Sequence, residues 1–378
     1  MRRRVQVLAI ALLVPFLAVA PLHLFMPATA KAHGIPAPVQ VGISFSPLRA
    51  AYLGLDYKTA FTRLEAVHFR VIRLSTYWDQ VDRDGYDQLD WLMSEAKKSH
   101  QPIALTVGMK ALGWPEFFIP TPAVPVTGLR QGQDVASDST FREAALSFVA
   151  DTVLRYRDNP ALVAWQVENE PFNRAGPLRL WIDAEFLRDE ITSVRQLDGH
   201  ARPVIVNAFS HFNLVFDQAS ARQGFDFRQW LGFDADSAES DALSVLGRGD
   251  VLGLDVYTAI GYQFLGRDHM SHADGDWPDR LARVRDLAHK QGKQAWITEA
   301  QAEPWESSNL SYTDPKSTSP QAIRGIFENL KDAGFTTVLF WGSEYWLWRA
   351  DHGDTRWIDT IKTILRDESR APAMPLAA

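Results

Sequence analysis

From Val41 onward, short runs of β-branched and aromatic residues alternate with longer stretches of helical period. The runs are Val41–Phe45, Val71–Leu74, Ile103–Val107, Leu162–Val167, Val204–Val206, Val251–Val256, Ala295–Thr298 and Thr337–Phe340. Each is apolar at successive positions rather than every second one, which is the pattern of a strand buried on both faces. Amphipathic stretches lie between them, at Tyr57–His68, Gln88–His100, Thr140–Arg157, Leu178–Leu197, Asp279–Gln291, Pro320–Asp332 and Thr355–Arg366. Strands of this kind joined by helices predict a parallel sheet. Eight such units over roughly 330 residues predict a single (β/α)8 TIM barrel over residues 38–368. The alternative, a doubly wound sheet, lacks its phosphate loop: Ser44-Phe45-Ser46-Pro47 follows the first run where a glycine-rich turn would stand. Ala111–Ser139 reads as a long loop, Asp234–Asp250 as another, and residues 369–378 as a loose tail.

Composition narrows the function classes. With 46% hydrophobic residues among 378, the chain can bury a large core. It has no cysteine, which excludes disulfides, thiolate nucleophiles and Cys-ligated zinc. The formal net charge of −7 repels phosphate backbones, so nucleic acid is not an expected partner. At the N-terminus, Arg2, Arg3 and Arg4 precede an apolar run from Val7 to Leu22, and Ala28-Thr29-Ala30 closes the segment. This is the layout of an export signal over residues 1–30; an uncleaved membrane anchor through residues 5–22 is the alternative reading. A secreted or cell-envelope protein, monomeric, is expected. Thirteen tryptophans are an excess that suits either a large core or stacking on the apolar faces of sugars.

In a barrel the reacting groups stand at the C-terminal ends of the strands. The fourth run leads into Glu168-Asn169-Glu170-Pro171 and the seventh into Glu299-Ala300-Gln301-Ala302-Glu303-Pro304-Trp305. Two carboxyls brought to one mouth are the apparatus of glycoside hydrolysis: one protonates the leaving oxygen while the other attacks the anomeric carbon. A separation of about 5–5.5 Å would correspond to retention of configuration through a covalent glycosyl-enzyme.

Asn169-Glu170-Pro171 after strand four, with Glu299 after strand seven, resembles the clan of retaining (β/α)8 glycosidases that includes family 5 cellulases and mannanases and family 42 β-galactosidases. The resemblance covers essentially the whole barrel segment. It implies Glu170 as general acid/base, Glu299 as nucleophile and Asn169 as a partner of the sugar 2-hydroxyl. It further implies that Arg73, in Ile72-Arg73-Leu74-Ser75, braces the nucleophile, that Tyr257 donates to it, and that Trp341 floors the bound sugar. The stretch Trp78–Leu92 is similar to the second loop and helix of such enzymes. The sequence departs from the pattern at Asp255, where family 5 enzymes usually carry a histidine, and in Thr106–Lys110, which holds no histidine.

The acid must stay protonated near neutral pH and the nucleophile ionised, the latter assisted by Arg73 and the Tyr257 hydroxyl. Glu303 competes with Glu299 because, like Glu170, it precedes a proline, and Glu168 shares strand parity with Glu170. Trp305 and Trp78 are expected to bind substrate, with Trp114, Trp346 and Trp348 as further subsite candidates, while Trp165 and Trp296 should pack outward against helices. No metal or cofactor is expected: His211, His269 and His272 have no ligand spacing, and Asp234–Asp241 lacks a calcium-loop register. The expected function is an exported retaining hydrolase of β-linked glycans, and the alternative a catalytically silent carbohydrate-binding barrel.

Overall fold

A computed structural model of the chain describes residues 38–120, 129–213, 238–307 and 312–370. The export-signal expectation, the tail beyond residue 370 and Trp230 lie outside them. All eight apolar runs form strands: β1 (Gln40–Ser44), β2 (Ile72–Ser75), β3 (Ile103–Val107), β4 (Leu162–Val167), β5 (Val204–Ser210), β6 (Val251–Val256), then β9 (Gln294–Gln301) and β10 (Thr337–Trp341). They pair in parallel and close in the order β1-β10-β9-β6-β5-β4-β3-β2, a (β/α)8 barrel. Two strands absent from the sequence reading, β7 (Ala259–Phe264) and β8 (Arg267–His272), form an antiparallel hairpin after β6. Its turn residues Leu265 and Gly266 are both left-handed, as a tight hairpin turn requires.

The helices are α1 (Pro47–Tyr52), α2 (Tyr57–Glu65), α3 (Trp78–Asp84), α4 (Asp87–Ser99), α5 (Ser139–Tyr156), α6 (Ala184–Asp198), α7 (Ala238–Val245), α8 (Trp277–Lys290), α9 (Pro320–Asp332), α10 (Ser343–Asp351) and α11 (Arg356–Arg370). Asp56, Asp138, Asp183 and Ser319 accept backbone N–H groups at the starts of α2, α5, α6 and α9, satisfying donors that the helix itself cannot. The cap at Asp183 explains why α6 begins later than the predicted Leu178. The loop expected at Asp234–Asp250 contains α7, whose Ala242, Leu243 and Val245 are buried beside β5 and β6.

The barrel interior is layered. Val71, just before β2, packs at its lower end with Ala104, Ala164, Ile205, Val251 and Leu339 from five strands, and Trp296 lies against them. The next inward positions include buried polar residues, Arg73, Thr106, Gln166 and Asn207, and Asp255 follows one inward position beyond Gly253 on β6. Strand β9 carries an extra residue in this layer. Leu254 pairs with Ile297 but Asp255 with Glu299, and on the other side Val338 pairs with Ile297 but Phe340 with Ala300. A bulge at Thr298 therefore turns both Trp296 and Glu299 inward. Strict alternation had placed Trp296 outside, and the bulge corrects that expectation. Trp165 lies past an extra residue at Val163 in β4, beyond which Ala164 and Gln166 face inward, and it is fully buried in the outer core.

Candidate active site

Glu299 emerges from β9 just past the bulge and is 5% exposed. Arg73, fully buried on β2, forms an ion pair with its Oε1, and the Tyr257 hydroxyl donates to its Oε2. Arg73 is itself oriented: its Nε donates to Ser44 Oγ at 2.9 Å and its Nη1 to Gln166 Oε1 at 3.1 Å. Donors on both oxygens suit a carboxylate anion held in one orientation. Burial, then the Glu299 charge, holds the Tyr257 hydroxyl well above the usual phenol range, so it remains a donor.

The chain leaves β4 by two left-handed residues, Glu168 (φ 59°) and Glu170 (φ 47°). Non-glycine residues adopt this conformation rarely and at a cost, and here it decides where the three side chains point. Glu168 turns away from the mouth. Its carboxyl accepts the backbone N–H groups of Met109 and Lys110, at 2.8 and 2.6 Å, and lies against Glu190 of α6. Asn169 is held through its side-chain oxygen, which accepts from Asn207 Nδ2 at 2.9 Å. Glu170 is anchored by its backbone, the N–H donating to Asn207 Oδ1 at 2.7 Å and the carbonyl accepting from Lys110 Nζ at 2.7 Å.

One oxygen each of Glu170, Asp255 and Glu299 lie within 4.8 Å of one another. Burial pushes the Glu170 carboxyl well above the ordinary range, and the charges of Asp255, Glu116 and Glu299 add to this while Lys110 opposes it. Asp255, fully buried, is pushed up to about 7 by burial and the Glu299 charge. Among the described residues these three carboxyls are the group with spacing for a divalent cation. Their oxygens are already committed, to Arg73 and Tyr257 on Glu299 and to Thr298 and Asn207 on Asp255, so the donor set fits proton transfer better than metal ligation.

The aromatic expectations divide. Trp305 is 40% exposed and its ring meets Tyr257 edge-on, with centroids 4.9 Å apart, beside the Glu299 carboxyl. Trp341 ends β10 half-buried, and its Nε1 donates to Glu303 Oε1 at 2.9 Å. Glu303, which also pairs with Arg49 at 3.0 Å, thus steadies Trp341. Trp78 corrects an expectation: it is 7% exposed, stacked on Phe148 at 5.3 Å and against Phe141, because it opens α3 on the side that packs on α5. It presents no face to a ligand. Trp346 is likewise core, bonded to the Ala302 carbonyl, and Trp348 stacks on Tyr345. Trp114 is 72% exposed in the loop after β3.

Several site residues went unread in the sequence. Gln166 and Asn207 each put a polar side chain at inward parity in an otherwise apolar strand, and that was the available signal; Thr298 has outward parity by strict alternation and reaches Asp255 only through the bulge. Lys110, fully buried, touches Glu116 Oε2 at 3.2 Å and Glu170 Oε2 at 3.9 Å; a lysine just past an apolar run was its only trace.

No protein-family model matches the chain, and no curated protein matches it in sequence. Solved structures do match it in fold. GH5_18 from Bifidobacterium longum subsp. longum superposes with a TM-score of 0.59 at 12% identity, over 90% of this chain and 82% of its own. A β-galactosidase from Rahnella sp. gives 0.56 at 14% identity, over 89% of this chain and 56% of its own, so the chain spans little more than half of that enzyme. An exo-β-1,4-mannosidase from an Opitutaceae bacterium gives 0.53 at 12% identity, over 88% of this chain and 60% of its own. What these proteins share with the present chain is the (β/α)8 barrel.

Proposed function

We propose that the protein is a retaining glycoside hydrolase acting on β-linked glycans, with Glu299 as nucleophile and Glu170 as general acid/base. The observation that carries this reading is the pairing of the two carboxyls in unlike environments. One oxygen of each lies within 4.8 Å of the other, which agrees with the close carboxyl pair of a retaining enzyme. Glu299 is surrounded by donors, and Glu170 is buried and raised, so one is suited to attack and the other to give a proton. In the first step a Glu299 oxygen bonds to the anomeric carbon as the glycosidic C–O bond breaks, and the Glu170 proton passes to the departing oxygen. In the second, Glu170 takes a proton from water, whose oxygen displaces Glu299. Asn169, its oxygen engaged by Asn207, has its NH2 group left to meet the sugar 2-hydroxyl. Trp305 and Trp341 offer aromatic surface at the mouth. The barrel shared with glycosidases agrees with this reading. Export is proposed on the Arg2–Arg4, apolar and Ala28-Thr29-Ala30 pattern.

Hydrolysis of aryl β-glycosides, β-glucan, mannan and galactan, with product stereochemistry followed by NMR, tests the proposal. The expected result is retention in the wild type, loss of activity in Glu299→Ala, and azide rescue of that variant as a glycosyl azide of inverted configuration. Sugar binding without turnover across the panel would favour the silent carbohydrate-binding barrel instead.

A further inference from the structure

Asp255 sets a second buried carboxyl beside Glu170, where no chemistry has yet been assigned to it. It is fully buried on β6. Its Oδ1 accepts from Thr298 Oγ1, its Oδ2 from Asn207 Nδ2, and one of its oxygens lies within 4.8 Å of a Glu170 carboxyl oxygen. Asn207 carries the connection further, since its oxygen accepts the Glu170 backbone N–H and its Nδ2 also reaches Asn169 Oδ1. One carboxyl thus stands within 4.8 Å of the Glu170 carboxyl and fixes the amide that holds its main chain.

Resting on the assignment of Glu170 as the acid, we propose that Asp255 is a positioning residue that keeps Glu170 protonated, sharing one proton with it while locking Asn207 beneath the Asn169-Glu170 turn. The charged and titratable groups around the pair are Arg73 on β2, Lys110 and Glu116 after β3, Tyr257 after β6 and Glu299 on β9. Asp255 and Lys110 act on Glu170 in opposite directions. The carboxyl raises its affinity for a proton and the ammonium lowers it, as like and opposite charges at close range must. When Glu170 passes its proton to the departing oxygen, the glycosylation of Glu299 removes one negative charge from the cluster, and the deprotonated Glu170 is tolerated. The proton taken from water in the second step restores the shared arrangement.

The test is the titration of Glu170 read two ways in full-length protein: by carboxyl 13C NMR, assigned with Glu170→Gln, and by the alkaline limb of kcat/KM. Asp255→Asn is expected to lower both by about one unit or more, and Lys110→Met to raise both. Opposite shifts in two variants of one cluster are not produced by loosened packing. Shifts of the same sign, or an unmoved Glu170 in Asp255→Asn, overturn the inference. If the NMR titration moves as expected while wild type hydrolyses no glycoside, the proton-sharing role stands and the hydrolase reading falls.

Discussion

Glu170 is where burial, charge and backbone geometry meet. Its left-handed φ aims the carboxyl into the mouth, and burial with three neighbouring carboxyls keeps it protonated beyond the usual range. General acid catalysis needs the proton present, so activity should persist below the Glu170 pKa and fall as pH rises through it. The alkaline limb of kcat/KM should therefore lie above the ordinary carboxyl range. In Glu170→Ala, substrates with good leaving groups should lose that limb, and those with poor ones should lose about 10²–10⁴ in rate. Initial-rate profiles on a series of aryl glycosides check both. A limb that survives in the variant would belong to another group.

At the scale of elements, the bulge in β9 is the feature on which the site depends. It places Thr298 against Asp255 and Glu299 against Arg73 in consecutive positions, which unbroken alternation cannot do. Room for it comes from Gly253, where a Cβ would stand 2.6 Å from Thr298 Oγ1 and 2.7 Å from Asn207 Cβ. Gly253→Ala should lower stability by about 1–3 kcal/mol and reduce kcat, since both displaced groups hold the carboxyl cluster; denaturant melts and kinetics on the same variant check this. The eight strands were legible because doubly buried strands announce themselves as apolar runs, and Glu170 and Glu299 because they follow the ends of two such runs, whereas Arg73 and Tyr257 came from the family resemblance. The bulge was not legible, since it arises from pairing with β6 and β10 rather than from any local signal. The hairpin β7–β8 was not, nor were helices α3, α7 and α10, which are 7, 8 and 9 residues long and sit in stretches read as loop or left unassigned. Trp78 was misread because its position after β2 suggests the mouth while its neighbours Phe141 and Phe148 arrive from far along the chain.

For the whole molecule, the buried pair Glu168 and Glu190 couples stability to pH. Glu168 carries two backbone N–H groups of the β3 loop, and among the described residues no hydrogen-bond donor reaches the Glu190 carboxyl, which lies against Glu168. Burial pushes Glu168 up to about 7 and, with the Glu168 charge, Glu190 well above its usual range. Both folded-state values exceed the unfolded ones, so the unfolded chain binds fewer protons between them. Stability is then fully present below about pH 4.5 as far as this pair is concerned, and declines as pH rises toward and past 7. Glu190→Gln replaces the proton with an amide donor and should flatten that decline. Thermal melts between pH 5 and about 9 should show a smaller drop in Tm for the variant than for wild type; equal slopes would contradict it. The layered barrel, apolar below and polar above, thus concentrates buried carboxyls at one end, where the proposed chemistry occurs.

As nucleophile, Glu299 becomes covalently bonded to the sugar. Incubation with an activated 2-deoxy-2-fluoro β-glycoside of a sugar that the enzyme hydrolyses, followed by peptide mass spectrometry, traps that bond. One added glycosyl residue per chain is expected, carried by the peptide on Glu299 and lost on reactivation with an acceptor. A label on Asp255 or Glu303, or turnover with inversion and no label, would contradict it.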